Sequence, residues 1–170
     1  RWMPAYGPER PVRLTELVEL LEDGFFGVEH IELLTDREVQ LAQQLGLDQV
    51  LADTLYDALD RELPAAARRS PTLFEAARQA YRRVGDTYGL LTLMLVEHRY
   101  ATRAGEDADV ILDRGRVLYL DEGRQLNTEQ RAFTQMRFGE ILLGQKRTEE
   151  AQAHLEQAKA RDDLAVVDLE

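Results

Sequence analysis

The sequence predicts an all-α protein of antiparallel helix pairs stacked as a short α-solenoid, with about seven or eight helices. Three observations lead there. From Arg13 onward, apolar residues recur at helical spacing. Helix-capping residues return at Asp48, Asp86 and Asn127, 38 and 41 residues apart, and each opens a helix followed by a turn and a second helix. A helix pair recurring every 34 to about 45 residues marks a solenoid, in which no unit buries its apolar face alone. Strand signals are confined to Val117-Leu118-Tyr119-Leu120, which is short and continuous with a helical pattern, so it reads as helix.

Residues 1–12, with Pro4, Gly7, Pro8 and Pro11 around Trp2 and Tyr6, read as an extended arm. Residues 13–46 read as a helical N-terminal cap. Leu14, Leu17, Val18 and Leu21 share one helix face, and Gly24 and Gly27 interrupt it around Phe25-Phe26. Thr35-Asp36-Arg37-Glu38 has the form of a capping box, with Leu34 and Val39 as its staple, and the helix it opens stops near Gly46. Residues 47–170 carry the repeats, at approximately 47–85, 86–126 and 127–165.

Asp48 is expected to cap a helix with Leu51, Leu55, Ala58 and Leu59 on one face, ended by Pro64. Ser70-Pro71 is a cap followed by proline at the first helical position, and Leu73, Phe74, Ala77, Ala80, Tyr81 and Val84 form its apolar face. Gly85-Asp86 closes that helix and caps the next, which runs to about Ala104 before a turn at Gly105. Ala108, Leu112 and Gly115 face one way on the following helix, which ends near Gly123. Asn127 with Gln130 caps a helix to about Gly144, and the last helix runs from about Thr148 to about Leu164.

The chemistry of the chain is defined largely by what it lacks. There is no cysteine, which removes disulfides, thiolate metal sites and cysteine nucleophiles, and fits a reducing cytoplasm. The longest apolar run, Leu90 to Val96, meets Glu97-His98-Arg99 far short of the roughly 18 residues a membrane span needs. With 21 basic and 32 acidic side chains the net charge is −11. Residues 1–60 alone hold four arginines against thirteen acids, or −9. No basic stripe offsets this, so direct nucleic-acid binding is not expected. The chain opens on Arg1 without a signal sequence, which fits a domain excised from a larger protein.

Gly139-Glu140-Ile141-Leu142-Leu143-Gly144-Gln145-Lys146-Arg147-Thr148-Glu149-Glu150-Ala151, with Leu155 and Ala158 beyond, resembles a tetratricopeptide repeat. By that resemblance Gly139 is the small residue that lets the second helix pack closely. Leu142 is the large residue after it, and Ala151, Leu155 and Ala158 are the contacts of the second helix. Lys146 stands where a turn glycine is commonest. Tyr81-Arg82-Arg83-Val84-Gly85-Asp86-Thr87-Tyr88-Gly89-Leu90 is similar to the Arg-x-x-Gly-Asp junction of the longer form of this repeat found in bacterial regulators. His98 and Arg99 stand where small or apolar residues are usual, and no resemblance extends before residue 47. The resemblance implies a right-handed stack acting as a non-enzymatic scaffold for a protein or peptide. It places Phe133, Met136 and Glu140 in the binding groove; packing against the preceding repeat is the plain alternative for Phe133 and Met136.

No catalytic residues, metal ligands or cofactor are expected. His30, His98 and His154 lie far apart in sequence, and Glu150 with His154 reads as an ordinary helical pair. Asp107, Asp109 and Asp113 break the alternation of a calcium loop and suit a first helical turn. Ser70, the only serine, serves as a cap rather than a nucleophile. Leu34 to Val39 resembles the opening of a LuxR-type helix-turn-helix, yet Asp48, Asp53, Asp57 and Asp60 follow where a basic recognition helix would stand. Three functional expectations remain: a cytoplasmic interaction scaffold in a bacterial signalling or regulatory protein, a small-molecule sensor or helical-bundle enzyme with a pocket completed by the first 46 residues, and a homodimer through an exposed terminal repeat.

Overall fold

The computed structural model describes residues 44–62, 66–67 and 70–167, with side chains to Lys159. The expected arm, the helices before Gln44 with their capping box, His30, Pro64 and the last three residues lie outside the described residues. The described residues form six α-helices and no strand: α1 (Asp48–Asp60), α2 (Ser70–Val84), α3 (Thr87–Ala104), α4 (Asp109–Glu122), α5 (Thr128–Gly144) and α6 (Thr148–Val167), with a 3-10 turn at Gly123–Gln125. The chain divides into two compact units, Arg1–Ala76 and Ala77–Glu170, the division falling within α2.

In the first unit, α1 buries Leu51, Ala52, Leu55, Ala58 and Leu59, the face its spacing predicts. Its start differs from expectation. The cap position is Leu47 and carries no side-chain bond; Asp48 is already helical. A carboxylate in the first turn still favours the helix through the macrodipole. Ser70 is likewise already helical as the first residue of α2. On α2, Leu73, Phe74, Ala77, Ala80 and Tyr81 are buried, but Val84 is 42% exposed: it is the last residue before the turn, beyond the reach of the face behind it.

The second unit reverses direction three times in the same way. A residue in the left-handed region follows each helix, and the amide after it bonds back five residues: Asp86 to Tyr81 O at 3.0 Å past Gly85, Glu106 to Ala101 O at 2.9 Å past Gly105, and Arg147 to Leu142 O at 2.9 Å past Lys146. These closures satisfy carbonyls the helix ends would otherwise leave bare. Two helices of this unit, α3 and α5, start on true caps. The Asp86 carboxylate accepts from Gly89 N at 2.8 Å, and Asn127 accepts from Gln130 N at 2.8 Å while Gln130 Oε1 accepts from Asn127 N at 3.1 Å.

The paired helices run antiparallel. Between α2 and α3, Tyr81 lies on Gly89 and Arg78 donates to both Glu97 oxygens at 2.8 Å. Between α3 and α4, Thr87 Oγ1 donates to Glu122 Oε2 at 2.8 Å, and Met94 faces Gly115. Between α5 and α6, Gln135 meets His154, and Gly139 meets Ala151 and Leu155. The first helices of the two later pairs also touch, through Tyr88 and Phe133, whose rings meet edge-on at 6.3 Å. The core cluster is Leu91, Leu112, Leu126, Phe138, Leu142 and Ala151.

Two glycines facing this core differ in the space around them. A β-carbon on Gly139 would lie 2.6 Å from Leu155 Cγ and 3.3 Å from the Ala151 carbonyl; one on Gly115 would lie in ordinary contact, 3.5 Å from the Phe138 ring and 3.7 Å from Met94 Sδ. Gly139→Ala is therefore expected to lower stability by about 1–2 kcal/mol through overpacking. Gly115→Ala should raise it by about 0.5–1 kcal/mol through helix propensity. Urea unfolding that gives both substitutions the same sign contradicts this account.

Lys146, at φ 63, holds a left-handed position where Gly85 and Gly105 stand in the other reversals. Lys146→Gly should stabilise by about 0.5–1 kcal/mol, because a β-carbon there is costly. A lower urea midpoint for that variant would count against the strain.

Candidate functional site

On α5, Asn127 fixes the first turn and Phe138, Leu142 and Gly139 turn inward, which sets the rotation of the helix. From Glu129 to Leu143 the exposed residues are then Glu129, Phe133, Met136, Glu140 and Leu143. Their spacing of 4, 3, 4 and 3 makes one continuous stripe along the helix. Phe133, Met136 and Leu143 are 37%, 38% and 47% exposed, so the solvent face of α5 is mostly apolar between two carboxylates. Glu140 accepts from Arg137 Nη1 at 2.6 Å, an exposed i, i+3 pair whose net contribution is small.

Phe133, Met136 and Glu140, predicted as neighbours in a groove, thus share one face of α5. Phe133 also packs on Tyr88 of α3, so its packing and exposed readings both describe part of it. Burial raises the Tyr88 phenol above its ordinary pKa, and the carboxylates of Glu129 and Asp86 push it the same way. The aromatic pair therefore sits in a negative field. Sequence reasoning missed Glu129 and Leu143 as members of the stripe. Leu142 and Leu143 are adjacent, and only the rotation of α5 tells which faces in.

A second feature was not legible in sequence. An open cavity of about 870 Å³ lies among the end of α2, α3 and α4. Leu90, Met94 and Leu118 contribute apolar surface, Val110 and Val117 stand exposed at it, and Arg82, Arg114, Asp113 and Asp121 supply both signs of charge. A smaller cleft of about 280 Å³ between α4, α5 and α6 is lined by Arg116, Gln135, Phe138, Glu150 and His154 among others. There Gln135, which is fully buried, hydrogen-bonds His154, whose ring meets Phe138 edge-on at 5.7 Å. Glu150 joins Arg116 at 2.9 Å and Arg147 at 2.8 Å, and the two guanidinium groups hold its carboxyl below the ordinary value.

The acidic residues after Gly105 do not converge. Asp109 accepts from Gln145 Nε2 at 2.5 Å and Asp113 pairs with Arg116 at 3.5 Å. Among the described residues no group of three or more His, Asp or Glu side chains is placed to hold a metal ion, and no helix is long and apolar enough to cross a membrane. No family model matches the chain, and no curated protein or solved structure matches it.

His98 is buried on α3, and its Nε2 has no hydrogen-bond partner among the described residues. Burial holds this imidazole below its ordinary pKa, with the Asp109 carboxylate opposing. His154 is lowered too, by burial and then by Arg116, with Glu150 opposing. The unfolded chain therefore takes up protons more readily than the fold as pH drops through about 6.5. Stability is held above that pH and lost below it. The melting temperature should fall between pH 7.5 and pH 5.5, and His98→Leu should fall less while losing nothing at pH 7.5, since it removes an unpaired buried nitrogen. Scanning fluorimetry showing equal acid sensitivity in both proteins would refute the assignment to His98.

Proposed function

We propose that this chain is a non-enzymatic scaffold that binds a protein or peptide, built as a tetratricopeptide-like, right-handed stack of seven or eight helices. It acts in the cytoplasm as the sensory or assembly module of a larger bacterial signalling or regulatory protein. The observation that carries this reading is the outward stripe of α5, where Phe133, Met136 and Leu143 stand exposed on a helix whose other faces are already packed. A solvated helix face with no partner would be expected to be polar.

The repeat itself is supported by two pairs, α3 with α4 and α5 with α6, each opened by an Asx cap and turned by a left-handed residue. The second helices share a spacing: Ala108, Leu112 and Gly115 on one, Ala151, Leu155 and Ala158 on the other, four and three residues apart. Contact between α3 and α5 is what stacked repeats require of their first helices.

One observation favours a second reading, a small-molecule sensor: the 870 Å³ cavity is of the size that drug-sized ligands fill. The two readings separate in one set of measurements. Peptide-display selection on the intact chain should yield ligands whose affinity drops by about tenfold or more in Phe133→Ser and Met136→Ser, as for exposed apolar anchors, with helix content by circular dichroism unchanged. A metabolite screen that raises the melting temperature of both variants as fully as the parent, with no peptide selected, would replace the scaffold by the sensor.

A further inference from the structure

The chemistry of the α5 stripe narrows what it can hold. Its two carboxylates are eleven residues apart, about 16 Å along the helix axis. Between them lie Phe133 and Met136, and Leu143 continues the apolar surface one turn past Glu140. Tyr88, packed edge-on to Phe133, extends the surface onto α3. Among the described residues, the cation bonded to these carboxylates is Arg137, in its exposed pair with Glu140. Such a pair exchanges readily for an incoming cation.

We infer that this face docks an amphipathic helix of a partner protein whose apolar seam covers Phe133 and Met136 and whose lysine or arginine side chains, three turns apart, meet Glu129 and Glu140. This rests on the scaffold reading and deepens it by naming the partner's charge. Three points favour that occupant. An exposed aromatic with a carboxylate one turn away suits the apolar stem and charged head of a long basic side chain. The 4-3-4-3 spacing is that of a helical seam, which another helix matches along its length better than an extended strand does. A second copy of this chain is disfavoured, because paired stripes would bring Glu129 and Glu140 of each against carboxylates of the other, and the chain as a whole carries −11.

The test uses the intact chain and three synthetic 18-residue helical peptides. They share one leucine seam and carry lysine, glutamine or glutamate at the two flanking positions eleven apart. Binding by fluorescence anisotropy at low salt should rank lysine over glutamine over glutamate, with at least about tenfold between the extremes and a loss of that preference at high salt. Charge reversal, Glu129→Lys with Glu140→Lys, should invert the ranking, while Phe133→Ser weakens all three peptides; circular dichroism at the assay temperature confirms that both variants keep the parent's helix content. Equal binding of the three peptides, sensitive to Phe133→Ser, overturns the basic partner but leaves the scaffold. Preference for the glutamate peptide does the same. No binding, or binding indifferent to Phe133→Ser, overturns both the partner and the placement of the groove on α5.

Discussion

Phe138 is the side chain on which the second unit is aligned. It is almost fully buried, and around it lie Gly115 and Tyr119 of α4 and His154 of α6, with Leu91 of α3 in the same cluster. An aromatic ring enclosed by several helices has few alternative positions in a core packed to crystal-like density. Once Phe138 is seated, the rotation of α5 is settled. Gly139 must face α6, Thr134 and Gln135 must go inside, and Phe133, Met136, Glu140 and Leu143 must point out. The buried polar pair is accommodated locally: Thr134 donates to Gln130 O at 2.7 Å and Gln135 finds His154. The candidate binding face is thus a by-product of core packing on the opposite side of the same helix.

What the sequence disclosed follows from how local each signal is. Asp86, Asn127, Gly85 and Gly105 act through bonds to residues three to five positions away, and their roles were readable from a short window. Asp48 belongs to the same chemical class yet misses its role by one position, because a side chain in the first turn and one at the cap look alike until the backbone angles are known. Val84 fails differently: helical spacing includes it, but the turn at Gly85 carries the chain away before anything covers it. The cavity beside α4 depends on the separation of non-adjacent helices, which no residue pattern encodes. The stripe on α5 was half legible, since the resemblance singled out Phe133, Met136 and Glu140, while the choice between Leu142 and Leu143 needed the tertiary fold.

His98 shows where the two helix pairs differ. It stands 41 residues before Gly139, the interval that also separates the caps Asp86 and Asn127. At one place a glycine admits α6 closely; at the other an imidazole is enclosed with a ring nitrogen unpaired among the described residues. The α3–α4 pair therefore encloses a polar atom without a partner among the described residues, whereas the buried Gln135 of the α5–α6 pair is bonded to His154. Surface ion pairs such as Arg137 with Glu140 and Arg61 with Asp57 contribute little by comparison, being exposed and readily screened.

The three reversals at Gly85, Gly105 and Lys146 also bear on how the unit assembles. Each joins two helices through a turn of a few residues, so the main packing partners are neighbours along the chain. Closing such short loops forfeits little chain entropy, and topologies dominated by neighbouring contacts fold quickly. Assembly can begin at either hairpin, because each carries its own cap and its own reversal. The seating of Phe138 joins the two, and it requires α4, α5 and α6 together. That ring is accordingly the point at which independently formed hairpins become a single cooperative body, and amide exchange in α3 and α6 should report whether they open in concert or apart.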